Sequence, residues 1–277
     1  MNILKKSSEG GIKLKIDSYK KVDSVKKAYE LLLEQPYAAV IGGGAWLKLM
    51  PKTIGMAIDL SGLGLDEIEE TEKEYVIGSM ATLRQVEKFK PFSALYDGIL
   101  SKSAGSIMGV TLRNIATIGG TVAGKYGFSD LLPVLMAMGA KVRFYKRGKV
   151  GIVDFINETS SANDILTHVH IAKTDGRGWF YTMKNTAIDF PVLNTAVALS
   201  PDGCKIVVGS RPYKASLAEK AMKYINGIST PGKDEIIKAA DIAAEEIKFG
   251  KNQRGSAEYR TELCRTFVKR GLTEVMS

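Results

Sequence analysis

The chain has 277 residues, 45% of them hydrophobic and 25% charged, enough to bury a core and build two or three modest subdomains. Its net charge is +9, from 39 basic and 30 acidic side chains. The lysines are scattered, and no recognition-helix, zinc-finger or RNP pattern accompanies them, which favours a solvated basic surface over nucleic-acid binding. No stretch approaches the roughly 20 apolar residues of a membrane span, and residues 1–15 lack the apolar core of a signal peptide, so the expectation is a cytoplasmic protein.

Val25, Ala28, Tyr29, Leu32 and Leu33 recur at helical spacing and predict a helix over 22–34, ended by Pro36. Residues 37–41 read as a short buried strand running straight into Gly42-Gly43-Gly44. Residues 45–50 leave room for little more than one helical turn before Pro51, and strands are expected at 56–60 and 75–78. A short helix over 81–89 should open near Thr82. Residues 111–123 turn from polar to apolar to glycine-rich, which suits a loop crossing a binding surface. Ser129 can cap a helix over 130–138 that Gly139 closes, and a strand follows at 141–145.

The polar stretch 157–164 marks a boundary. Beyond it come strand-like runs at 165–172, 178–184, 192–199 and 204–208, then helices near 216–226, 233–247 and 256–274. The last of these carries Tyr259, Leu263, Phe267 and Leu272 on one face. The pattern is α+β, with one domain over 1–160 (subdomains about 1–55 and 56–160) and a second over 161–277.

Two familiar motifs fail on inspection. A dinucleotide fingerprint at Gly42-Gly43-Gly44 would need a third small residue where Leu47 stands. It would also need a proper helix before the next strand, where Pro51 intervenes, so Asp59 reads as a turn or cap residue. Gly119 to Lys125 matches the start of a P-loop, but Tyr126 occupies the position of the magnesium-binding hydroxyl. What survives is the pair of glycine turns themselves, each able to aim backbone N–H groups at an anion such as a pyrophosphate. Two cysteines, Cys204 and Cys264, are too few for an iron–sulfur cluster held by this chain alone, and His168 and His170 give a metal site little support.

Leu112-Arg113-Asn114-Ile115-Ala116-Thr117-Ile118-Gly119-Gly120, continued by Ser129-Asp130-Leu131-Leu132-Pro133 and Met138-Gly139-Ala140, resembles the signature of the FAD-binding (medium) subunit of the molybdenum hydroxylases, the xanthine dehydrogenase family. Ile41 to Leu47 resembles that family's first FAD loop, and residues 77–83 its intervening strand-to-helix step. Residues 211–215 and 256–260 resemble two C-terminal landmarks. The resemblance implies an FAD-binding fold of the vanillyl-alcohol oxidase type, made of two α/β subdomains. A C-terminal α/β domain of the carbon monoxide dehydrogenase flavoprotein type would follow.

It also implies roles. Val40, Ile41, Gly42, Gly43, Gly44, Ala45, Trp46 and Leu47, with Thr117, Ile118, Gly119, Gly120 and Thr121, would hold the pyrophosphate and ribityl chain through their backbone. Asp130 would meet the adenosine ribose and Ile107 the adenine. Leu166 would touch the flavin ring, and Lys184 would sit at its polar edge. The sequence departs from the family in having Ala45-Trp46 where small polar residues are common, Thr121 where asparagine is usual, and Asn185-Thr186 before the Asp189-Phe190 pair.

The implied function is electron transfer within an oxidoreductase. Electrons from a molybdenum-cofactor subunit would arrive through 2Fe–2S clusters of an iron–sulfur subunit, then pass through FAD here to NAD+ or another acceptor. A stand-alone FAD oxidoreductase of the same fold, or a non-enzymatic scaffold with a degenerate FAD site, would fit the same residues.

Overall fold

A computed structural model describes residues 14–159 and 163–277. Strands β1 (Lys15–Lys21), β2 (Ala38–Ile41) and β3 (Thr53–Asp59) form a parallel sheet in the order β1-β3-β2. Helix α1 (Val25–Glu34) links β1 to β2. It begins where the Ser24 hydroxyl accepts the Lys27 amide at 3.2 Å, and it buries Ala28 and Leu31 in a small core with Ile58 and Leu60.

The connection from β2 to β3 corrects one sequence argument. These strands are adjacent and parallel, yet residues 42–52 between them hold only a 3₁₀ turn at Leu47–Leu49. A full crossover helix is therefore not needed here. The dinucleotide fingerprint still fails, because the glycine turn opens no helix whose N-terminus could face a phosphate. Asp59 is a turn residue as expected, accepting the Ser61 amide at 2.8 Å and its hydroxyl at 2.9 Å.

The second sheet is antiparallel throughout. It comprises β4 (Ile68–Glu70), β5 (Glu74–Gly78), β6 (Lys141–Phe144), β7 (Gly148–Gly151) and β8 (Leu166–Ala172), in the order β4-β5-β8-β6-β7. Thus β3 spans the expected subdomain division near 55. Likewise β8 lies past the expected domain division near 160 but fills the centre of the second sheet; the chain leaves that sheet at Ala172.

Helices α2 (Leu83–Lys88), α3 (Ile99–Ser106), α4 (Val110–Arg113), α5 (Ile118–Gly124), α6 (Leu131–Ala137) and α7 (Ile152–Asn157) belong to this unit. Thr82 opens α2 with a reciprocal cap: its hydroxyl accepts the Gln85 amide while the Gln85 side chain accepts the Thr82 amide. Every residue of α6 is buried, so it is apolar all round rather than amphipathic.

The reason lies in the third sheet, β9 (Arg177–Lys184), β10 (Pro191–Ser200), β11 (Gly203–Gly209) and β12 (Ser216–Leu217), ordered β12-β11-β10-β9. One face, with Ala196, Ala198 and Val207, joins the core around α6. The other, with Leu193, Val197, Ile206 and Val208, packs under α8 (Glu219–Asn226), α9 (Lys233–Glu246) and α10 (Ala257–Met276). Covered on both sides, β10 is buried without alternation from Pro191 to Ala198, Asn194 and Thr195 included.

The buried face of α10 is shifted from the sequence reading. Arg260, Cys264, Phe267, Val268, Gly271, Leu272 and Val275 are buried, whereas Tyr259 is exposed. The Arg260 guanidinium enters the core because backbone carbonyls satisfy it: it donates to Val192 at 2.9 Å and Gly250 at 2.8 Å, and also to Asn252 Oδ1 at 2.6 Å.

Candidate functional site

The two glycine turns meet. Residues 39–47 line a 280 Å³ pocket together with Thr117, Gly120, Thr121, Ala123, Gly124 and Tyr126. A second pocket of 350 Å³ shares Val40, Gly42, Thr117, Gly120, Ala123 and Gly124 with it, and reaches Gly119, Ser79, Leu166, Lys125 and Lys214. On the other side a narrow pocket shares Trp46, Thr121 and Tyr126 and reaches Ile107, Asp130 and Lys184. The three abut as one elongated groove. Every predicted site residue lines it except Ile118, whose side chain is fully buried in the core and whose amide donates to Ala81 O at 2.9 Å.

The floor is α5, a helix where the sequence suggested a loop. Three glycines make it a poor helix former, and tertiary anchors override that preference. Thr117 caps it, accepting the Gly120 amide at 3.1 Å, while the Gly119 amide donates to Ser79 O at 2.8 Å and the Thr121 amide to Thr117 O at 3.0 Å. The exposed face of α5 is only Gly120, Ala123 and Gly124, so the helix backbone is open to a ligand there.

These bonds separate two turns to which the resemblance gave the same role. The amides of residues 118–121 are all consumed internally, and so Gly119-Gly120 has no free donors for a pyrophosphate. In the first turn, the amides of Gly43, Gly44, Ala45 and Trp46 meet no protein acceptor among the described residues. Gly43 is glycine for a different reason: a methyl group there would lie 1.3 Å from the Ile115 carbonyl oxygen. Gly44 has φ +65° and open space around it. Lys52, which the sequence reading passed over, brings a cation to this part of the groove.

Trp46 contributes more than backbone. Its indole packs at 5.3 Å against both Phe128 and Phe190, which are themselves 4.4 Å apart, and Tyr126 stacks on Phe128 at 5.0 Å. These rings, dispersed in sequence, wall the groove between the first turn and Asp130. Arg254 holds the far side, lying over the Phe190 ring and pairing with Asp189 at 3.0 Å.

Asp130 and Lys184 are brought together at 2.9 Å, both nearly buried. Asp130 Oδ1 also accepts from Thr182 Oγ1 and Asn194 Nδ2, each at 2.8 Å. Lys184 donates to Ser106 O at 2.6 Å. Arg113, from the signature segment, donates to Ile107 O at 3.0 Å and Met108 O at 2.7 Å, with Glu87 pairing at 2.8 Å. Three consecutive carbonyls beside Ile107 are thus pinned by two cations. Lys184 does not join Leu166 as the resemblance implied; it stands at the Ile107–Asp130 end, with the two glycine turns between. Separation along the chain gave no signal of this, because β8 and β9 belong to different sheets.

The Leu166 end is lined instead by Lys125 and Lys214. The residue that mimicked a P-loop lysine sits at the C-terminal end of α5 and donates to Phe155 O and Glu158 O of the chain leaving α7. It cannot serve a phosphate at the helix start. Lys214 belongs to the 211–215 landmark and donates to Ile156 O at 3.1 Å. Ser79 also lines this pocket, its buried hydroxyl lacking any partner among the described residues. A groove with an open glycine floor, free amides at its middle and an unsatisfied hydroxyl beside Leu166 fits a long, polar, aromatic ligand.

Burial pushes both the Cys204 and Cys264 thiols up to about 12, which leaves them protonated and poor ligands. Burial also holds His168 and His170 below the ordinary imidazole value. Among the described residues no group of three or more His, Cys, Asp or Glu could hold a metal ion, and no helix is long and apolar enough to cross a membrane.

Comparison with known sequences decides the family. Residues 13–173 match the FAD binding domain in molybdopterin dehydrogenase. The chain belongs to that flavoprotein family. Residues 179–275 of this flavoprotein match the CO dehydrogenase flavoprotein C-terminal domain. The nicotine 6-hydroxylase medium subunit of Paenarthrobacter nicotinovorans is 26% identical over 282 aligned positions, covering 95% of this chain and 98% of that one. The glyceraldehyde dehydrogenase medium chain of Sulfolobus acidocaldarius is 23% identical, covering 93% and 98%.

Among solved structures, a chain of carbon monoxide dehydrogenase from Hydrogenophaga pseudoflava superposes with a TM-score of 0.86 at 22% identity, covering 96% of this flavoprotein and 98% of that chain. A chain of quinoline 2-oxidoreductase from Pseudomonas putida 86 gives 0.82 at 20% identity, covering 94% and 96%. At such identities the likeness is one of fold. The FAD-binding fold followed by the flavoprotein C-terminal domain is the architecture of this chain, an oxidoreductase subunit with FAD as its cofactor.

Proposed function

We propose that FAD lies extended along the groove, adenosine toward Ile107 and Asp130, pyrophosphate over the first glycine turn, flavin ring beside Leu166. The observation that carries this reading is the order of the lining residues. A pocket with a buried carboxylate, then free amides with Lys52, then a 350 Å³ pocket with an unsatisfied hydroxyl follow one another without a break. Gly43, Gly44, Ala45 and Trp46 supply the amide donors, Gly120 leaves the α5 backbone open, and Gly42 and Gly119 let the chain pack closely against Thr117 and Ser79. Asp130, held in place by Lys184, offers its side-chain oxygens to ribose hydroxyls. The aromatic wall of Trp46, Phe128 and Phe190 excludes water from the adenosine half.

Bound FAD supplies a carrier that exchanges electrons singly or in pairs. The chain itself contributes binding, orientation and the electrostatic field. Its two thiols are buried and protonated, so iron–sulfur centres belong to another polypeptide. The partners in this reading are an iron–sulfur subunit and a molybdenum-cofactor subunit, with NAD+ or another small molecule as final acceptor, in the cytoplasm. The medium-subunit names of the relatives support it.

The test is reconstitution. The chain purified alone and with its native partners is mixed with FAD, then examined for a bound-flavin absorption spectrum and a raised melting temperature. Both are expected. Absence of both, even with partners present, overturns the reading. Molybdenum and iron in the native complex separate the electron-transfer subunit from a stand-alone flavoenzyme.

A further inference from the structure

The two C-terminal landmarks, residues 211–215 and 256–260, lie outside the proposed contacts to FAD, yet both lead back to the aromatic wall of the groove. Arg260 is the anchor. Fully buried, it donates to Val192 O at 2.9 Å, Gly250 O at 2.8 Å and Asn252 Oδ1 at 2.6 Å, and also to Gly255 O. One guanidinium, with five donors, thus fixes the loop 250–255 together with the strand two residues beyond Phe190. Arg211 ties the other landmark to that loop: its side chain donates to Lys248 O at 2.8 Å and its carbonyl accepts the Gly250 amide at 2.6 Å. Pro212 and Tyr213 then lie against the segment of Tyr126 and Phe128, where a methyl group on Gly127 would stand 2.8 Å from the Pro212 carbonyl oxygen.

Arg254 projects from the fixed loop, its amide held by Asn252 Oδ1 at 3.0 Å. Its guanidinium donates to Asp189 Oδ1 through Nε at 3.1 Å and Nη2 at 3.0 Å, and its carbon lies 5.0 Å from the centre of the Phe190 ring. The same carboxylate oxygen accepts the Phe190 amide at 2.7 Å. Phe190 needs such a hold, because it ends the connection between β9 and β10, where the register of the pair shifts between Pro191 and Leu193. The ion pair is 33% and 25% exposed, so as a stability contact it is worth little. What it fixes is the place of the ring against Trp46 and Phe128.

We propose that Arg254 is a positioning residue for FAD binding: it holds Phe190 in the groove wall, on a mount that Arg260 builds. The proposal rests on the FAD reading, and needs only that some part of the cofactor meets the wall of Trp46, Phe128 and Phe190. The loop before α10 then governs cofactor retention through Phe190 rather than by a contact of its own.

FAD affinity and release rate are measured by flavin fluorescence for the chain with its native partners, as wild type, Arg254→Gln, Phe190→Ala and the double variant. Arg254→Gln is expected to weaken FAD binding by roughly tenfold, mainly through faster release, at little cost in melting temperature. In the Phe190→Ala background the same change should alter affinity by less than about twofold, because the ring it positions is gone. Equal effects in both backgrounds, or no effect in either, overturn the proposal.

A second measurement needs no cofactor. With Trp179→Phe, Trp46 is the sole indole of the chain, and its quenching by acrylamide reports how well Phe190 covers it. Arg254→Gln should raise that quenching in the FAD-free chain, and Asp189→Ala, which breaks the same pair from the other loop, should do likewise. Unchanged quenching overturns the positioning role even where FAD binding falls. If wild type takes up no FAD with its partners present, the FAD reading has failed, while the quenching still decides whether Arg254 places Phe190.

Discussion

Asp130, at the start of α6, and Lys184, the last residue of β9, pair at 2.9 Å with side chains only 3% and 9% exposed. The pair ties the FAD-binding unit to the third sheet at the Ile107 end of the groove. Removing one partner strands a buried charge. Lys184→Met should therefore cost about 3–5 kcal/mol of stability. Asp130→Asn/Lys184→Met should cost less than the sum of the single changes. Urea denaturation of the four proteins closes the cycle; additive effects would show that the two charges do not interact.

Gly43 and Gly44 are adjacent but should respond differently to alanine. At Gly43 the added methyl meets the Ile115 carbonyl at 1.3 Å, so the two turns must separate; flavin should be lost on gel filtration and the melting temperature should drop sharply. At Gly44 there is space but φ is +65°, so the change costs about 1–2 kcal/mol of backbone strain. Flavin retention by Gly43→Ala would show that the turns are not in contact.

Lys52 lies exposed in the pocket lined by the first glycine turn. Lys52→Ala should raise the FAD dissociation constant by roughly threefold to tenfold at low salt, and by less at high salt as counter-ions screen the pair. Fluorescence titration of apoprotein at two ionic strengths reads this directly. A salt-independent loss would assign Lys52 a packing role.

The two histidines predict an acid-side loss of stability. Burial is the main cause that lowers both His168 and His170, and it outweighs the Glu74 carboxylate 3.1 Å from His170 Nδ1. The unfolded chain then binds protons more readily than the folded one. Stability should fall as pH drops below the ordinary value of 6.5. Glu74, whose carboxyl is lowered chiefly by Lys149, loses its contribution only below its ordinary 4.5, so the window between belongs to the histidines. Melting temperatures of wild type and His170→Gln from pH 7.5 to 5 should converge as pH falls; parallel curves would contradict the assignment.

Both thiols are buried and held near 12. Native protein should not react with a thiol-disulfide reagent on a timescale of minutes, and two equivalents should react in denaturant. Fast native labelling would place Cys204 or Cys264 outside the core.

Local pattern was enough for much of this protein. Apolar spacing gave α1, and with Thr82, Ser129 and Ser256 as openers it gave α2, α6 and the C-terminal helices to within a few residues, because each of these hydroxyls accepts an amide three residues away. The signature from Leu112 to Pro133, with the Ile41–Leu47 loop, was enough to point to FAD. Helices α3, α5 and α7 and strand β7 were missed, since Ser- and Gly-rich segments such as residues 99–106 and 118–124 carry little helical preference of their own.

What only the tertiary structure decided was the work each site residue does. A glycine in a turn looks the same whether it clears space for a ligand or for the chain opposite. Gly43 proves to face Ile115, and the amides of residues 118–121 are spent on Ala81, Ser79 and Thr117. Lysines carry the same ambiguity: Lys184 is drawn to Asp130, while Lys125 and Lys214, 89 positions apart, arrive together at α7. A hydrogen bond or ion pair belongs to two residues at once, and the sequence states only one of them at a time.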